Sequence, residues 1–309
     1  DRLSREVPSM SSNENLSPEH SLAQNGKSFH WAGRLLGAQT GRDAARLYSI
    51  CRVLDDMADG DIDNGPRRLD QIRAGLTGDA SAQDPLLLSL MPFVAAQGIS
   101  TAVLVALIDG LLEDQQDVAL ADETALLRYS YRVAGTVGLM MCNVLGCDNR
   151  AAFAHAVDLG IAMQLTNIAR DVTEDAQMGR RYLPGTWLDN MTPAEILAAD
   201  DPQREMISLA VARLLRLAEV YYASGTAGLV YLPLRAHLAI SVAARVYRQI
   251  GIQLAAKGCR WYAGREVTSK PVKLACSIRA LTSLPDRARA YKAHDARLHA
   301  ALTGLPHVG

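Results

Sequence analysis

The chain has 309 residues, 49% hydrophobic and 21% charged, and its 32 Lys plus Arg nearly balance 33 Asp plus Glu for a net charge of −1. That composition supports a large core and lacks the basic surplus of an electrostatic nucleic-acid binder. Five cysteines, an odd number without a CxxC pair, argue against a disulfide scaffold or a zinc site and point to a reducing cytoplasm, and no run of 18 apolar residues is present to span a membrane.

Residues 1–24 are rich in Ser, Asn, Glu and Pro without periodicity, and they lack the apolar centre of a signal peptide; they read as a flexible tail. The rest, 25–309, reads as one all-α domain. No proline interrupts the chain between Pro92 and Pro184, Ala, Leu, Met, Gln and Arg dominate there, and aromatics are only 5% of the whole chain. Apolar residues recur at three and four, as at 104–112 and 214–222. Thr192, Pro193 and Glu195 have the spacing of a capping box at a helix start. Gly, Asp and Pro clusters at 60–66, 78–85, 146–149 and 264–271 mark connections between helices rather than domain linkers.

The first functional candidate is LYSICRVLDDMADGD, residues 47–61. On a helix Tyr48, Arg52, Asp55 and Asp59 fall within a sector of about 60°, while Leu47, Ile50, Val53, Leu54 and Met57 cover most of the remaining surface. Taken alone, this is also what an amphipathic helix with a wet face looks like.

The second candidate, QLTNIARDVTED at 164–175, repeats the pattern: Gln164, Asn167, Asp171 and Asp175 form another narrow stripe. Two carboxylates one turn apart cost a helix a few tenths of a kcal/mol unless a cation lies between them. Two such helices facing each other across a cavity would bind hard divalent cations through oxygen, and Mg²⁺, which keeps waters and bridges to phosphates, suits that chemistry.

Other segments read less sharply. Arg180 and Arg181 follow the second motif and fit either phosphate recognition or a helix-terminal dipole role. In YSYRVAGTVGLMM, 129–141, Gly135 and Gly138 interrupt an apolar helix, which allows either close helix packing or room for a long apolar ligand; Tyr129 is placed to face the polar site. The acidic run Asp109, Glu113, Asp114, Asp117 lacks amide or arginine companions on one stripe and reads mainly as a solvated face. The seven histidines are scattered, without a partner at nucleophile spacing, and no GxGxxG or Walker loop supports nicotinamide or ATP binding.

These pieces together resemble the squalene/phytoene synthase family, in its bacterial phytoene synthase branch, from about Lys27 to Leu274. The resemblance is carried by GKSFHWAGRLL (26–36), LYSICRVLDDMAD (47–59), LIDGLLED (107–114), YSYRVAGTVGLMM (129–141), QLTNIARDVTEDAQMGRRYLP (164–184) and YYASGTAGLVYLPLRAHLAISVAARVYRQI (221–250), in the family's order. It implies the isoprenoid synthase fold, with the two Asp-rich segments facing a central cavity. It also implies head-to-head condensation of two prenyl diphosphates through a cyclopropyl diphosphate, with Mg²⁺ or Mn²⁺ required.

Carried over by position, Asp55, Asp59, Asp171 and Asp175, with Asn167, correspond to metal-binding residues. Ser28, Arg52, Gln164, Asn167 and Arg265 correspond to diphosphate-binding residues, and Tyr48, Arg52, Tyr129 and Tyr247 to residues around the reacting carbons. Some relatives carry a His and a Ser ahead of the Lys27-Ser28-Phe29 triplet, where this chain has Asn25 and Gly26.

The resemblance favours two geranylgeranyl diphosphates as substrates, phytoene as product in carotenoid biosynthesis, and no NADPH. Squalene, hydroxysqualene or dehydrosqualene formation from farnesyl diphosphate is the alternative, and a non-catalytic assembly protein of the same fold a remote one. It further implies a cytoplasmic protein with peripheral membrane contact, alongside other carotenoid-pathway enzymes.

Overall fold

A computed structural model describes residues 33–115, 117–288 and 292–308. The tail assigned to 1–24 and the candidate Ser28 lie outside the described residues. Those described are helical, with no strand among them beyond a single isolated bridge between Ala119 and Arg181.

Four helices come first: α1 Ala38–Ala58, α2 Gly65–Leu76, α3 Pro85–Ala96 and α4 Thr101–Glu113. The first two connections fall at the predicted Gly/Asp/Pro clusters 60–66 and 78–85, whereas the third, residues 97–100, was not among those clusters. Asp84 starts α3 by accepting from the Leu86 amide, and Arg68 locks the same carboxylate with Nε at 2.8 Å.

The stretch read as one helix over 129–141 is two. α5 (Glu123–Ser130) passes through a π turn at Tyr131–Gly135 into α6 (Thr136–Val144). The extra residue of a π turn shifts the face the helix presents, and such turns concentrate at functional sites.

α7, Ala151–Arg170, is the central helix: α6, α10 (Asp201–Ala227) and α11 (Leu234–Ala256) all pack on it. Close approach decides the choice of glycine here. A methyl on Gly138 would lie 2.2 Å from the Ala156 carbonyl, and one on Gly160 2.3 Å from the Ala134 carbonyl. So the small residues at 135 and 138 first serve helix packing.

After α7 come the short α8 (Val172–Gln177) and α9 (Pro193–Leu197), the latter opened by the expected Thr192/Glu195 capping box. α12 (Lys270–Ala280) lies against α11, and a last segment, 292–308, returns to the core.

Candidate active site

α1 carries its polar stripe as read. Arg52 donates from Nη1 to Asp55 at 3.3 Å and pairs through Nη2 with Asp56 at 2.6 Å. Asp56, one position off the stripe, was not anticipated; it neutralises part of the Arg52 charge. The Asp55 carboxyl is pushed up to about 6, because burial disfavours its charge and Asp59 repels it, with Arg52 offsetting only part.

The second stripe is not continuous. α7 ends at Arg170, and Asp171 has φ −104°, ψ 18° before the chain turns into α8. At this break the Asp171 carboxylate is held from two sides. Two guanidiniums grip the Asp171 carboxylate, Arg170 from its own helix end and Arg265 from the loop after α11, with Arg265 Nε at 2.8 Å. Burial alone would raise the Asp171 pKa, but those two arginines hold it below the usual carboxylate range. Asp175, one turn on, is pushed well above that range by burial and by Asp171. Asn167 keeps its place in the pattern: its side-chain oxygen is buried without a hydrogen-bond partner among the described residues.

The two acidic segments meet through Arg180, whose Nη2 donates to Asp59 at 3.2 Å. Arg181 follows neither reading: it is 5% exposed, and it donates to the Leu183 carbonyl as part of the packing.

The acidic run at the end of α4 is not all solvated. Asp109 and Glu113 pair with Arg73 and Arg132, and Asp117 is exposed, but Asp114 points into the site. Its two oxygens accept from Tyr129 Oη and Tyr182 Oη, both at 2.9 Å. The two rings stack at 4.8 Å, and burial pushes the Asp114 carboxyl up to about 6. Its charge is felt by Arg180 and Asp175. LIDGLLED had held the signal, but a stripe count on an isolated helix does not show which acid the next two elements cover.

Below this polar rim a cavity of about 240 Å³ runs between α6, α7 and α11. Tyr48, Gln164, Asn167 and Tyr247 stand among its lining, and burial lifts the phenol pKa of both tyrosines, Tyr247 to about 12. The α7 lining, from Asn167 down through Gly160 and Ala156 to Ala152, follows the three-and-four spacing of one helix face over about 22 Å. The walls are otherwise apolar apart from His155.

The histidines are not all scattered. His294 and His299, from the last segment, each reach Asp158 on α7 at 2.8 Å, and Ser224 on α10 donates to the same carboxylate. Asp158 is fully buried, so the three donors tie the last segment to the core. Ser224 spends its hydroxyl on Asp158, which is not a nucleophile's arrangement. His155 joins from the cavity side, its Nδ1 facing the Ser224 carbonyl at 2.8 Å.

The family model for squalene/phytoene synthase matches residues 22–274. A 15-cis-phytoene synthase from Pantoea ananas is 36% identical over 295 residues, covering 90% of this chain and 94% of its own. A second, from Paracoccus sp. (strain N81106 / MBIC 01143), is 37% identical over 273 residues, covering 84% of this chain and 88% of its own. Among solved structures, a dehydrosqualene synthase in complex with ligand superposes with TM-score 0.73 at 26% identity, covering 86% of this chain and 95% of that one. The chain belongs to the squalene/phytoene synthase family.

Proposed function

We propose that this prenyltransferase joins two geranylgeranyl diphosphates head to head, through a cyclopropyl diphosphate, and rearranges the intermediate to phytoene. The observation that carries the reading is the junction of a polar rim of paired acids and arginines with a long apolar cavity. A diphosphate ester ionises slowly because charge must separate, and the rim is chemically suited to the leaving group while the cavity takes the tail.

The acids suit a divalent cation. Asp55, Asp114 and Asp175 are all pushed up by burial and by neighbouring acids, and the Asn167 oxygen lacks a partner. Such crowding is relieved by Mg²⁺ or Mn²⁺, which Asp55, Asp59, Asp171, Asp175 and Asn167 would hold, with Asp114 close by. The ion would supply charge neutralisation for the departing diphosphate.

The protein's own groups do the rest. Arg52, Arg180 and Arg265 are already placed at the rim by Asp55, Asp59 and Asp171, so they need little reorganisation to meet phosphate oxygens, with Gln164 beside them. Ser28, from the Lys-Ser-Phe triplet, belongs to the same diphosphate set. Tyr48 and Tyr247 lie where the rim meets the cavity and can steady an allyl cation by cation–π attraction, about 1–2 kcal/mol when dry. Both phenols hold their protons more firmly than free tyrosine, which favours the diphosphate over either hydroxyl as the final base. Tyr129 acts at one remove, orienting Asp114.

No nicotinamide takes part in this reading, since phytoene forms without reduction. Hydrocarbon substrates and product imply peripheral contact with the cytoplasmic face of a membrane and proximity to later carotenoid-pathway enzymes. None of the described helices is long and apolar enough to cross a membrane.

The test is mass spectrometry of products from farnesyl and geranylgeranyl diphosphate, each with and without NADPH. Phytoene from the longer substrate, unaffected by NADPH, is the expected result. Squalene or dehydrosqualene as the preferred product would overturn the assignment.

A further inference from the structure

α12 is attached to the molecule by a narrow strip. Its inner side offers Cys276 and Ala280, which form a small apolar cluster with Val242, Ala243 and Val246 of α11, separate from the main core. Its outer side is apolar as well: Leu274, Ile278 and, just past the helix end, Leu281 are 53%, 61% and 53% exposed. At about 100° per residue the three fall in a sector of roughly 60°. One exposed leucine needs no explanation, but a stripe of three on one helix does.

The charge around that stripe is one-sided. From Val267 to Pro285 the sequence holds Lys270, Lys273 and Arg279 and not one Asp or Glu, in a chain whose 33 acids slightly outnumber its 32 bases overall. Lys270 and Arg279 are exposed; Lys270 borders the apolar stripe directly, and Arg279 lies about 100° round the helix from Ile278 on the other side, within reach of a long side chain. An apolar ridge with cationic margins is complementary to an anionic bilayer, with acyl chains for the ridge and lipid phosphates for the margins.

Two connections join this surface to the site. The loop that leads into α12 carries Arg265, whose Nε holds Asp171 at 2.8 Å. Ala243, which α12 covers, also lines the tail cavity, so a single helix, α11, separates the ridge from that cavity.

We propose that α12 is the membrane-docking surface of this protein, seating Leu274, Ile278 and Leu281 among the acyl chains of an anionic bilayer with Lys270 and Arg279 at the headgroups. The proposal deepens the prenyl diphosphate reading, because it supplies the side from which a membrane-borne tail reaches the cavity.

The test is vesicle flotation with phosphatidylcholine alone and with phosphatidylcholine containing phosphatidylglycerol. It compares the full chain with Leu274→Glu/Ile278→Glu and with Lys270→Glu/Arg279→Glu. Melting curves, sedimentation and turnover of prenyl diphosphate in detergent micelles accompany each protein. All four substituted positions are exposed, so unchanged melting is expected. The full chain is expected to float with the anionic vesicles, and each variant to lose at least about tenfold in partitioning while keeping its micellar turnover.

Variants that float as well as the full chain would overturn the assignment of α12 while leaving membrane contact itself standing. A dimer that Leu274→Glu/Ile278→Glu splits, with flotation unchanged, would overturn it in favour of a contact between two copies of this chain. A full chain that stays in the aqueous fraction would remove both docking and the membrane reading, and micellar turnover would still report on the synthase reading separately.

Discussion

Arg180 and Asp59 are 121 residues apart in sequence, and their side chains form an ion pair at 3.2 Å. The pair joins the end of the first acidic segment to the loop after the second, and the two side chains are 19% and 35% exposed. At that exposure it contributes about 1 kcal/mol or less to stability. Its value lies in holding a guanidinium at the rim before substrate arrives. Arg180→Ala is therefore expected to lower kcat/KM about a hundredfold with little change in melting temperature, and Arg180→Lys to recover part of the loss. A variant with normal kcat/KM would remove Arg180 from the diphosphate site.

Asp55 and Asp171 test the metal set from both sides. Asp171→Ala and Asp55→Ala are each expected to reduce turnover at least about a hundredfold while the helical circular dichroism signal is retained. Burial and Asp59 disfavour the Asp55 charge, and burial and Asp171 that of Asp175, more than the neighbouring arginines offset, which is the place for a further cation. Near-normal turnover of Asp171→Ala at saturating Mg²⁺ would sink the assignment.

The raised carboxyls give a pH signature with a definite sign. Asp55 and Asp114 sit near 6 in the folded protein, above their ordinary range, so their ionisation opposes folding. The metal-free protein gains stability from these two groups as pH falls from neutral through 6, and that gain is complete near the unfolded carboxylate value of about 4. Mg²⁺ competes with protons for the same oxygens. Added Mg²⁺ is thus expected to raise the melting temperature clearly at pH 7.5 and hardly at pH 5. An Mg²⁺ effect independent of pH would show that the ion binds elsewhere.

Much of this site was legible in the sequence because its spacing is helical. Tyr48, Arg52, Asp55 and Asp59 sit on one face of α1 as the offsets require, and the small and apolar residues of the cavity follow one face of α7. What spacing could not supply is what a second element does to a residue. Asp114 read as solvated because only the chain around Tyr129 and Tyr182 covers it. Asp171 read as helical because nothing in its own segment announces Arg265. The grouping of His294 and His299 around Asp158 depends on a return of the chain from 136 and 141 residues away. Ser28 was legible only as part of a resemblance.

That last cluster is a matter of stability. Asp158 is fully buried with donors from Ser224, His294 and His299. Burial alone would raise its pKa, but the three hydrogen bonds hold it below the ordinary value. A carboxylate of this kind stabilises the fold at pH values above the unfolded pKa and loses that contribution as pH falls through the folded one. Asp158→Ala leaves buried donors unpaired and is expected to cost about 3–5 kcal/mol, with the segment 292–308 becoming the first site of proteolysis. An unchanged melting temperature would show that the contacts are incidental.

The cavity makes the final prediction, on chain length. Ala152 lines it fifteen residues along α7 from Asn167, about 22 Å by helical rise, so a side chain added there fills the end remote from the rim. Each methylene of tail that loses its place forfeits about 0.8 kcal/mol of burial, and a whole isoprene unit several times that. Overpacking at such a position costs about 1–3 kcal/mol of stability, which a melting curve would register separately. Ala152→Phe is therefore expected to lower kcat/KM for geranylgeranyl diphosphate about a hundredfold and for farnesyl diphosphate less than about threefold, shifting the product toward the shorter hydrocarbon. Equal losses on both substrates would mean that the tails do not end at Ala152, and the cavity would then have to be given up as the measure of chain length.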